Sequence, residues 1–162
     1  MRIILARREY CLTCHQCALA CSVNHTSSKD ILEALSSQER AAARIFIISN
    51  EHQSGVVTCR HCLGAPCLKA CPTQAIERDA FTGAVTIKEE LCIGCRDCLL
   101  ACPFGAITLE KGKAVKCDLC QGHPACVEAC PTGALRFVDV EEESQSRRQK
   151  ALTKLFPLRR KR

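Results

Sequence analysis

Twelve residues, Cys92-Ile93-Gly94-Cys95-Arg96-Asp97-Cys98-Leu99-Leu100-Ala101-Cys102-Pro103, carry a C-x2-C-x2-C-x3-C-P spacing. Three thiolates two residues apart wrap one face of a [4Fe–4S] cubane, because a tight loop aims every third side chain inward. The fourth cysteine lies a helical turn further on, where the fourth ligand of such a run serves a neighbouring cluster. Pro103 cannot continue a helix and turns the chain away. A lone C-x2-C is weak evidence. Four cysteines at this spacing, closed by proline, are strong evidence.

The device occurs four times. Cys11, Cys14, Cys17 and Cys21 have x2, x2, x3 spacing, and Cys59, Cys62, Cys67 and Cys71 have x2, x4, x3. The run above comes third, and Cys117, Cys120, Cys126 and Cys130 follow with x2, x5, x3. These sets use all 16 cysteines, so four sets of four imply four [4Fe–4S] clusters with iron held by cysteine alone. Repetition extends past the ligands. Cys71-Pro72-Thr73-Gln74-Ala75-Ile76, Cys102-Pro103-Phe104-Gly105-Ala106-Ile107 and Cys130-Pro131-Thr132-Gly133-Ala134-Leu135 are one hexapeptide with small changes. The first set departs, since Ser22 follows Cys21.

Zinc is the competing metal. Structural zinc takes two short cysteine knuckles per ion, with a long gap between them, and the x2, x2, x3 run with proline does not supply that. Colour separates the two, because iron–sulfur protein is brown and zinc protein colourless. His61, inside the second set, has three readings: ligand or proton carrier, N–H donor to sulfur, or solvated side chain. His15, His25, His52 and His123 show no paired spacing and receive no role. Lys69, Arg96 and Lys116 flank the cysteine loops, and they either raise local potential or are solvated surface.

Composition narrows the class. Aromatics are 4% of the 162 residues and Trp is absent, so a conventional core would be thin and clusters are expected to fill the interior. The apolar run before Arg7 is too short for a signal peptide, and Arg7-Arg8 leads into a cysteine motif rather than an apolar stretch. No run is long enough to span a membrane. The expectation is a cytoplasmic protein of a reducing, anaerobic cell. The net charge of +6 divides unevenly. Residues 144–162 carry eight basic side chains and no acid, whereas residues 1–143 hold 15 basic and 17 acidic.

The elements that must position the cysteines are short. Residues 2–5 read as an edge strand. Asp30–Leu35 reads as a helix capped by Ser27 or Ser28, and Glu39–Ala43 as a further helical turn. Arg44–Ile48 and Gly55–Thr58 read as paired strands. Hairpins follow through Thr82-Gly83 and through Lys111-Gly112-Lys113, and Leu135–Val138 reads as a last strand. Each set thus has a loop, a short helix ending at the fourth cysteine, and flanking strands. From Glu141 a helix is expected, acidic at its start and basic towards its end, with Ala151, Leu152, Leu155 and Phe156 on one patch and Pro157 ending it.

Over residues 3–138 the chain resembles the four-cluster ferredoxin-like electron-transfer subunits of multi-subunit oxidoreductases. Cys59-Arg60-His61-Cys62, Ala65-Pro66-Cys67 and Cys117-Asp118-Leu119-Cys120 carry the resemblance. Leu19-Ala20-Cys21-Ser22-Val23-Asn24-His25 with Ser28-Lys29-Asp30 is similar to the carbon monoxide dehydrogenase and aldehyde oxidoreductase branch. The resemblance implies an α+β fold of two interlocked bacterial-ferredoxin-like modules, with short β-hairpins and short helices around clusters; the C-terminal helical extension lies outside the shared pattern and is read from its own residues. The inner module is residues 56–116 and the outer is 1–55 with 117–139, while 140–162 form a docking tail. It also implies a ligand exchange: Cys11, Cys14, Cys17 with Cys130; Cys117, Cys120, Cys126 with Cys21; Cys59, Cys62, Cys67 with Cys102; and Cys92, Cys95, Cys98 with Cys71. Only 20 residues separate Cys71 from Cys92, which leaves the first set to close on the fourth.

No residue set supports substrate chemistry, so the expected function is electron relay without a catalytic site. The expected partner is a tungsten or molybdenum aldehyde oxidoreductase or formate dehydrogenase, with carbon monoxide dehydrogenase or hydrogenase as the alternative. A flavoprotein is a further candidate partner. A regulatory or structural iron–sulfur protein is the reading of another class, although one cluster would suffice for that. The basic tail lacks stacking aromatics, which argues against nucleic acid. It is expected to dock on another subunit or on a further copy of the chain, where a head-to-tail contact need not close.

Overall fold

The computed structural model describes residues 1–51 and 53–155. Phe156, Pro157, the four basic residues beyond them and His52 lie outside the described residues.

The chain runs β1 (Arg2–Ala6), α1 (Gln16–Asn24), α2 (Ile31–Ser36), β2 (Ile45–Ser49), β3 (Ser54–Thr58), α3 (Pro66–Lys69), β4 (Ile76–Arg78) and β5 (Val85–Ile87). It continues through α4 (Asp97–Ala101), β6 (Ile107–Glu110), β7 (Lys113–Lys116), α5 (Ala125–Glu128), β8 (Leu135–Asp139) and α6 (Val140–Leu155). The strands form four antiparallel pairs: β1 with β8, β2 with β3, β4 with β5, and β6 with β7. Short strands, hairpins and short helices suit a ferredoxin-like [4Fe–4S] fold.

The first and last strands close on each other. Arg2 faces Asp139 and Ala6 faces Leu135. Ile4, Leu135 and Val138 are buried, and the Arg2 guanidinium stacks over the Phe137 ring at 4.3 Å. Burying a side chain such as Ile4 contributes roughly 1.5–3 kcal/mol.

Two small cores result. One holds Ile4, Ile45, Leu119 and Leu135 with Cys17, Cys21, Cys59, Cys117 and Cys126. The other holds Ile76, Val85 and Ile107 with Cys67, Cys92 and Cys98. Cys102 packs against both. Eight of the 16 cysteines are buried, so sulfur takes the interior that aromatic side chains would fill elsewhere.

Proline sets where the cysteine helices end. α4 stops at Ala101, and Cys102 before Pro103 is extended, as the residue before proline must be. α3 and α5 also end before their Cys-Pro steps. α1 has Ser22 in that place and continues past Cys21 to Asn24.

The 22–58 connection corrects two expectations. α2 is capped by Asp30, whose Oδ1 accepts from Leu32 N at 2.8 Å and Glu33 N at 3.0 Å, not by Ser27 or Ser28. Residues 39–43 form no helix. Their polar groups are engaged elsewhere: the Glu39 carboxylate accepts from Ser27 N and Oγ, Ala41 O from Ser22 Oγ, and Ala42 N donates to Glu110.

The root of α6 is fastened to the body. Asp139 Oδ1 accepts from Glu141 N at 2.9 Å, and its Oδ2 takes the N-terminal amine at 2.9 Å. Glu143 pairs with Arg136 and Arg147. Beyond Glu143 every described residue of the helix is exposed, Leu152 and Leu155 included.

Candidate metal centres

The fold gathers the cysteines in fours. Cys11, Cys14, Cys17 and Cys130 line one cavity. Cys59, Cys62, Cys67 and Cys102 line a second, and Cys92, Cys95, Cys98 and Cys71 a third. The remaining four are Cys117, Cys120, Cys126 and Cys21; the charges of Cys117, Cys21 and Cys120, and then of Cys17 in the first group, act on Cys126. In every group three cysteines come from one motif and the fourth from another. The third cysteine of each motif, namely Cys17, Cys67, Cys98 or Cys126, is buried in a short helix.

The loops between these cysteines are wound left-handed. Thr13 and His15, His61 and Ala65, Gly94 and Arg96, and Leu119, Cys120 and Gln121 all have positive φ. Alternating left- and right-handed residues turns successive N–H groups to one side, and such nests bind anions, iron–sulfur groups among them. One of these amides already meets sulfur: His61 N donates to Cys59 Sγ at 3.4 Å. From β7, Ala114 N donates to Cys92 Sγ at 3.4 Å.

The repeated hexapeptide is a second device for holding sulfur. Its first residue accepts from the N–H of its fourth: Gln74 N to Cys71 O, Gly105 N to Cys102 O, and Gly133 N to Cys130 O. Proline sits second in this turn, where its fixed φ is pre-set. The fourth residue is left-handed in all three copies, which suits Gly105 and Gly133 and strains Gln74. The turn folds later amides back onto the cysteine. Burial opposes a charge on Cys71, yet Thr73 Oγ1 and the N–H groups of Ala75, Thr73 and Ile76 hold its thiol below the usual range. Burial likewise opposes a charge on Cys130, and the Leu135, Thr132 and Ala134 amides with Thr132 Oγ1 outweigh it. In the remaining copy Phe104 replaces threonine, and Ala106 N donates to Cys102 Sγ at 3.4 Å.

Cys21 lacks the hexapeptide and is served from elsewhere. Arg44 N donates to its Sγ at 3.2 Å. His25, one helical turn on, donates from Nδ1 to Cys21 O at 2.7 Å and from Nε2 to Asp118 Oδ2 at 3.2 Å. Both ring nitrogens face acceptors. Burial works against the imidazolium, but the bonds to Asp118 and Cys21 raise its pKa to about 9. Asp118 also receives Arg44 Nη1 at 2.6 Å and Cys120 N at 2.9 Å. Although burial favours its neutral form, His25, the Cys120 amide and Arg44 hold its carboxyl well below the usual carboxylate range. Sequence reasoning gave His25 no role. The signal was its i, i+4 spacing from Cys21 on one helix face.

The fold places all four residues with open readings. His61 is wholly buried, not solvated: Val85 N donates to its Nδ1 at 2.9 Å, which puts the proton on Nε2. Burial, then the charges of Lys116 and Arg78, push its pKa down to about 3. Lys116 is buried too, whereas Lys69 and Arg96 are solvated surface. Arg78 on β4, unremarked in the sequence, donates to the carbonyls of His61, Cys62 and Leu63 and so pins that loop.

These surroundings fit [4Fe–4S] clusters. Burial, then the charges of neighbouring cysteines, pushes the Cys98 thiol up to about 11. Burial pushes Cys117 up to about 12, and Cys126 is pushed up further still by burial and by Cys117 and Cys21. Crowded thiols of this kind need a cationic core to become thiolates together. His61 Nε2 is a buried donor without a protein partner, in a residue lining the Cys59, Cys62, Cys67 and Cys102 cavity, where sulfide would accept from it.

Comparison with known proteins agrees. Residues 52–140 match a family model described as 4Fe-4S dicluster domain, and residues 8–24 match one described as 4Fe-4S binding domain. An "Iron-sulfur protein" of Rhodospirillum rubrum is 42% identical over 70% of this chain and 59% of its own length. The "Putative electron transport protein YsaA" of Escherichia coli K12 is 40% identical over 72% of this chain and 74% of its own. "Formate hydrogenlyase subunit 2" of the same strain is 40% identical over 65% of this chain and 47% of its own. The chain thus spans less than two thirds of the first and last of these relatives. With 16 cysteines in repeated motifs, these matches identify multiple [4Fe–4S] clusters as the cofactor.

Proposed function

The chain belongs to the 4Fe-4S dicluster family, and from that premise we propose that it is an electron-transfer subunit whose 16 cysteines hold four clusters in a row. Each group of four is one ligand set: Cys11, Cys14, Cys17, Cys130; Cys117, Cys120, Cys126, Cys21; Cys59, Cys62, Cys67, Cys102; and Cys92, Cys95, Cys98, Cys71. A closed four-thiolate cluster supplies one-electron redox chemistry and leaves no open metal site for a substrate.

The order of the row carries this reading. Packing links the sets: Cys17, Cys126, Cys117 and Cys59 share one core, Cys67 and Cys98 share the other, and Cys102 packs against both. Those links run from the first set through the second and third to the fourth, each named as above. An exposed cysteine, Cys14 or Cys95, sits in each of the two outer sets. A row closed in the middle and open at both ends has the form of a relay between two partners.

Each module keeps its exchange of fourth ligands to itself: Cys71 and Cys102 both lie in the inner module, 56–116, and Cys21 and Cys130 both lie in the outer one, 1–55 with 117–139, into which the inner is inserted. One partner is a catalytic oxidoreductase subunit. A tungsten or molybdenum aldehyde oxidoreductase or formate dehydrogenase is favoured, and a relative that bears the name of a formate hydrogenlyase subunit supports a formate-oxidising complex. Residues 140–162 serve as a docking arm for another subunit or a second copy, because α6 projects with Leu152 and Leu155 uncovered.

The test is anaerobic purification of the full chain, iron analysis and a redox titration. Four cubanes require about sixteen iron atoms per chain, all reversibly reducible. Far less iron, or clusters that do not reduce reversibly, would refute the relay.

A further inference from the structure

β7 places Ala114 and Lys116 on one buried face, as strand alternation requires. Lysine is almost never fully buried unless paired, yet Lys116 is 3% exposed. Its Nζ donates to Val85 O on β5 and to Cys117 O, the latter at 2.9 Å. Both acceptors are neutral. Among the described residues no carboxylate forms an ion pair with it. A buried ammonium without a counter-charge is strongly disfavoured, and Asp118, the nearest carboxylate in sequence, is already engaged by His25 and Arg44, so an anionic group beside Lys116 is the fitting source of the compensating charge.

Its position says what that is. Lys116 lines the cavity of Cys59, Cys62, Cys67 and Cys102. It also directly precedes Cys117, the first cysteine of the neighbouring set. We propose that Lys116 is the fixed positive charge shared by the two central clusters and that it raises the reduction potential of both above those of the outer pair. The proposal rests on the four-cluster reading.

A four-thiolate cluster is a dianion when oxidised and a trianion when reduced. A cation held beside it in a low-dielectric interior favours the reduced form more. The reach to both sets is visible in the geometry: Lys116 lines the cavity of Cys67 in one set, and its Nζ donates to Cys117 O in the other. Among the described residues the outer sets have no fully buried cation: Arg7, whose Nη2 donates to Gly133 O at 3.0 Å beside Cys130, is only half-buried. Lys113 Nζ bonds Cys92 O but is half-exposed, and Arg96 is exposed, so solvent screens both. Electrons therefore rest in the middle of the row and leave from either end.

The experiment is a spectroscopically monitored redox titration of the full-length, cluster-loaded chain as wild type, Lys116→Gln and Lys116→Arg. Glutamine keeps N–H donors for carbonyls but drops the charge, and arginine keeps the charge. At the poise where the central clusters of the wild type are half reduced, Lys116→Gln should hold them oxidised by at least tenfold. That corresponds to a downward shift of about 59 mV for a one-electron couple. The outer clusters should shift less, and Lys116→Arg should return the central potentials towards wild type. An unshifted Lys116→Gln, or an equal shift of all four clusters, overturns the proposal. Loss of iron in Lys116→Gln also overturns it, since it assigns Lys116 to clipping β5 to the Cys117 loop. Failure of the relay reading would show separately, as a wild type without reversible clusters.

Discussion

Gly94 lies between Cys92 and Cys95 with φ of +73°, and a Cβ there would stand 2.3 Å from Gly112 O in the β6–β7 turn. Real Cβ atoms essentially never come within 3.0 Å of another heavy atom, so Gly94→Ala must part the two loops by about 0.7 Å or more. The left-handed conformation adds a cost of roughly 1–2 kcal/mol, and overpacking typically adds 1–3 kcal/mol, so about 2–5 kcal/mol is lost in all. Little can relax. Lys113 Nζ is bonded to Cys92 O and Ala114 N to Cys92 Sγ, so the same two loops are joined just beside the clash. At about 2–4 °C per kcal/mol for a chain of this size, the unfolding midpoint should fall by at least about 4 °C. Damage should concentrate on the set of Cys92, Cys95, Cys98 and Cys71, seen as the first quarter of the iron released to a chelator under anaerobic conditions. Gly64→Ala is the control, since no heavy atom lies within 4 Å of the added Cβ. Wild-type stability and wild-type iron release in Gly94→Ala would refute the reasoning.

Thr73→Val and Thr132→Val each remove a hydroxyl from beside a cysteine sulfur, at 3.7 Å from Cys71 and 3.8 Å from Cys130. A lost hydrogen bond of about 0.5–1.5 kcal/mol to the reduced form should lower one outer cluster by about 20–60 mV, and a redox titration showing no shift would reject the cradle. Asp139 is held below its ordinary pKa by the N-terminal amine, then by the Glu141 and Glu142 amides. Its contribution to α6 is therefore full above about pH 4 and lost as pH falls through the depressed value. Asp139→Asn should show less helix by circular dichroism at neutral pH and a weaker acid-induced loss, while an unchanged acid limb would contradict the capping. Deleting residues 141–162 should leave the iron content unchanged and abolish binding to the partner subunit or to a second copy; a deletion variant that still binds and assembles ends the docking proposal.

The cofactor was legible because cubane chemistry imposes a spacing, and all 16 cysteines fall in sets of that kind. Both hairpins and the β2–β3 pair were also legible, since β-branched runs flank the loops. The Asp30 cap was missed by one element of register: the sequence offers Ser27, Ser28 and Asp30 in a row, and only the backbone decides which oxygen reaches two amides. The Glu39–Ala43 segment was misread because local propensity says nothing about Glu110, which arrives from β6 to take the Ala42 amide. The purpose of the hexapeptide was hidden as well. Its repetition was plain, but the folding of its later amides onto sulfur is a property of the turn. The network around Cys21 lay furthest from view, because it joins residues 25, 44 and 118 across the fold.

The exchange of fourth ligands is the claim on which the four ligand sets and their order in the row depend. Cys102→Ser tests it most directly. The variant is purified anaerobically at full length and its electron paramagnetic resonance spectrum compared with those of Cys62→Ser and Cys95→Ser. The fold groups Cys102 with Cys59, Cys62 and Cys67, so the signal altered in Cys102→Ser should be the one altered in Cys62→Ser, with the Cys95 signal intact. A spectrum that instead matches Cys95→Ser would place Cys102 with Cys92, Cys95 and Cys98 and contradict the account.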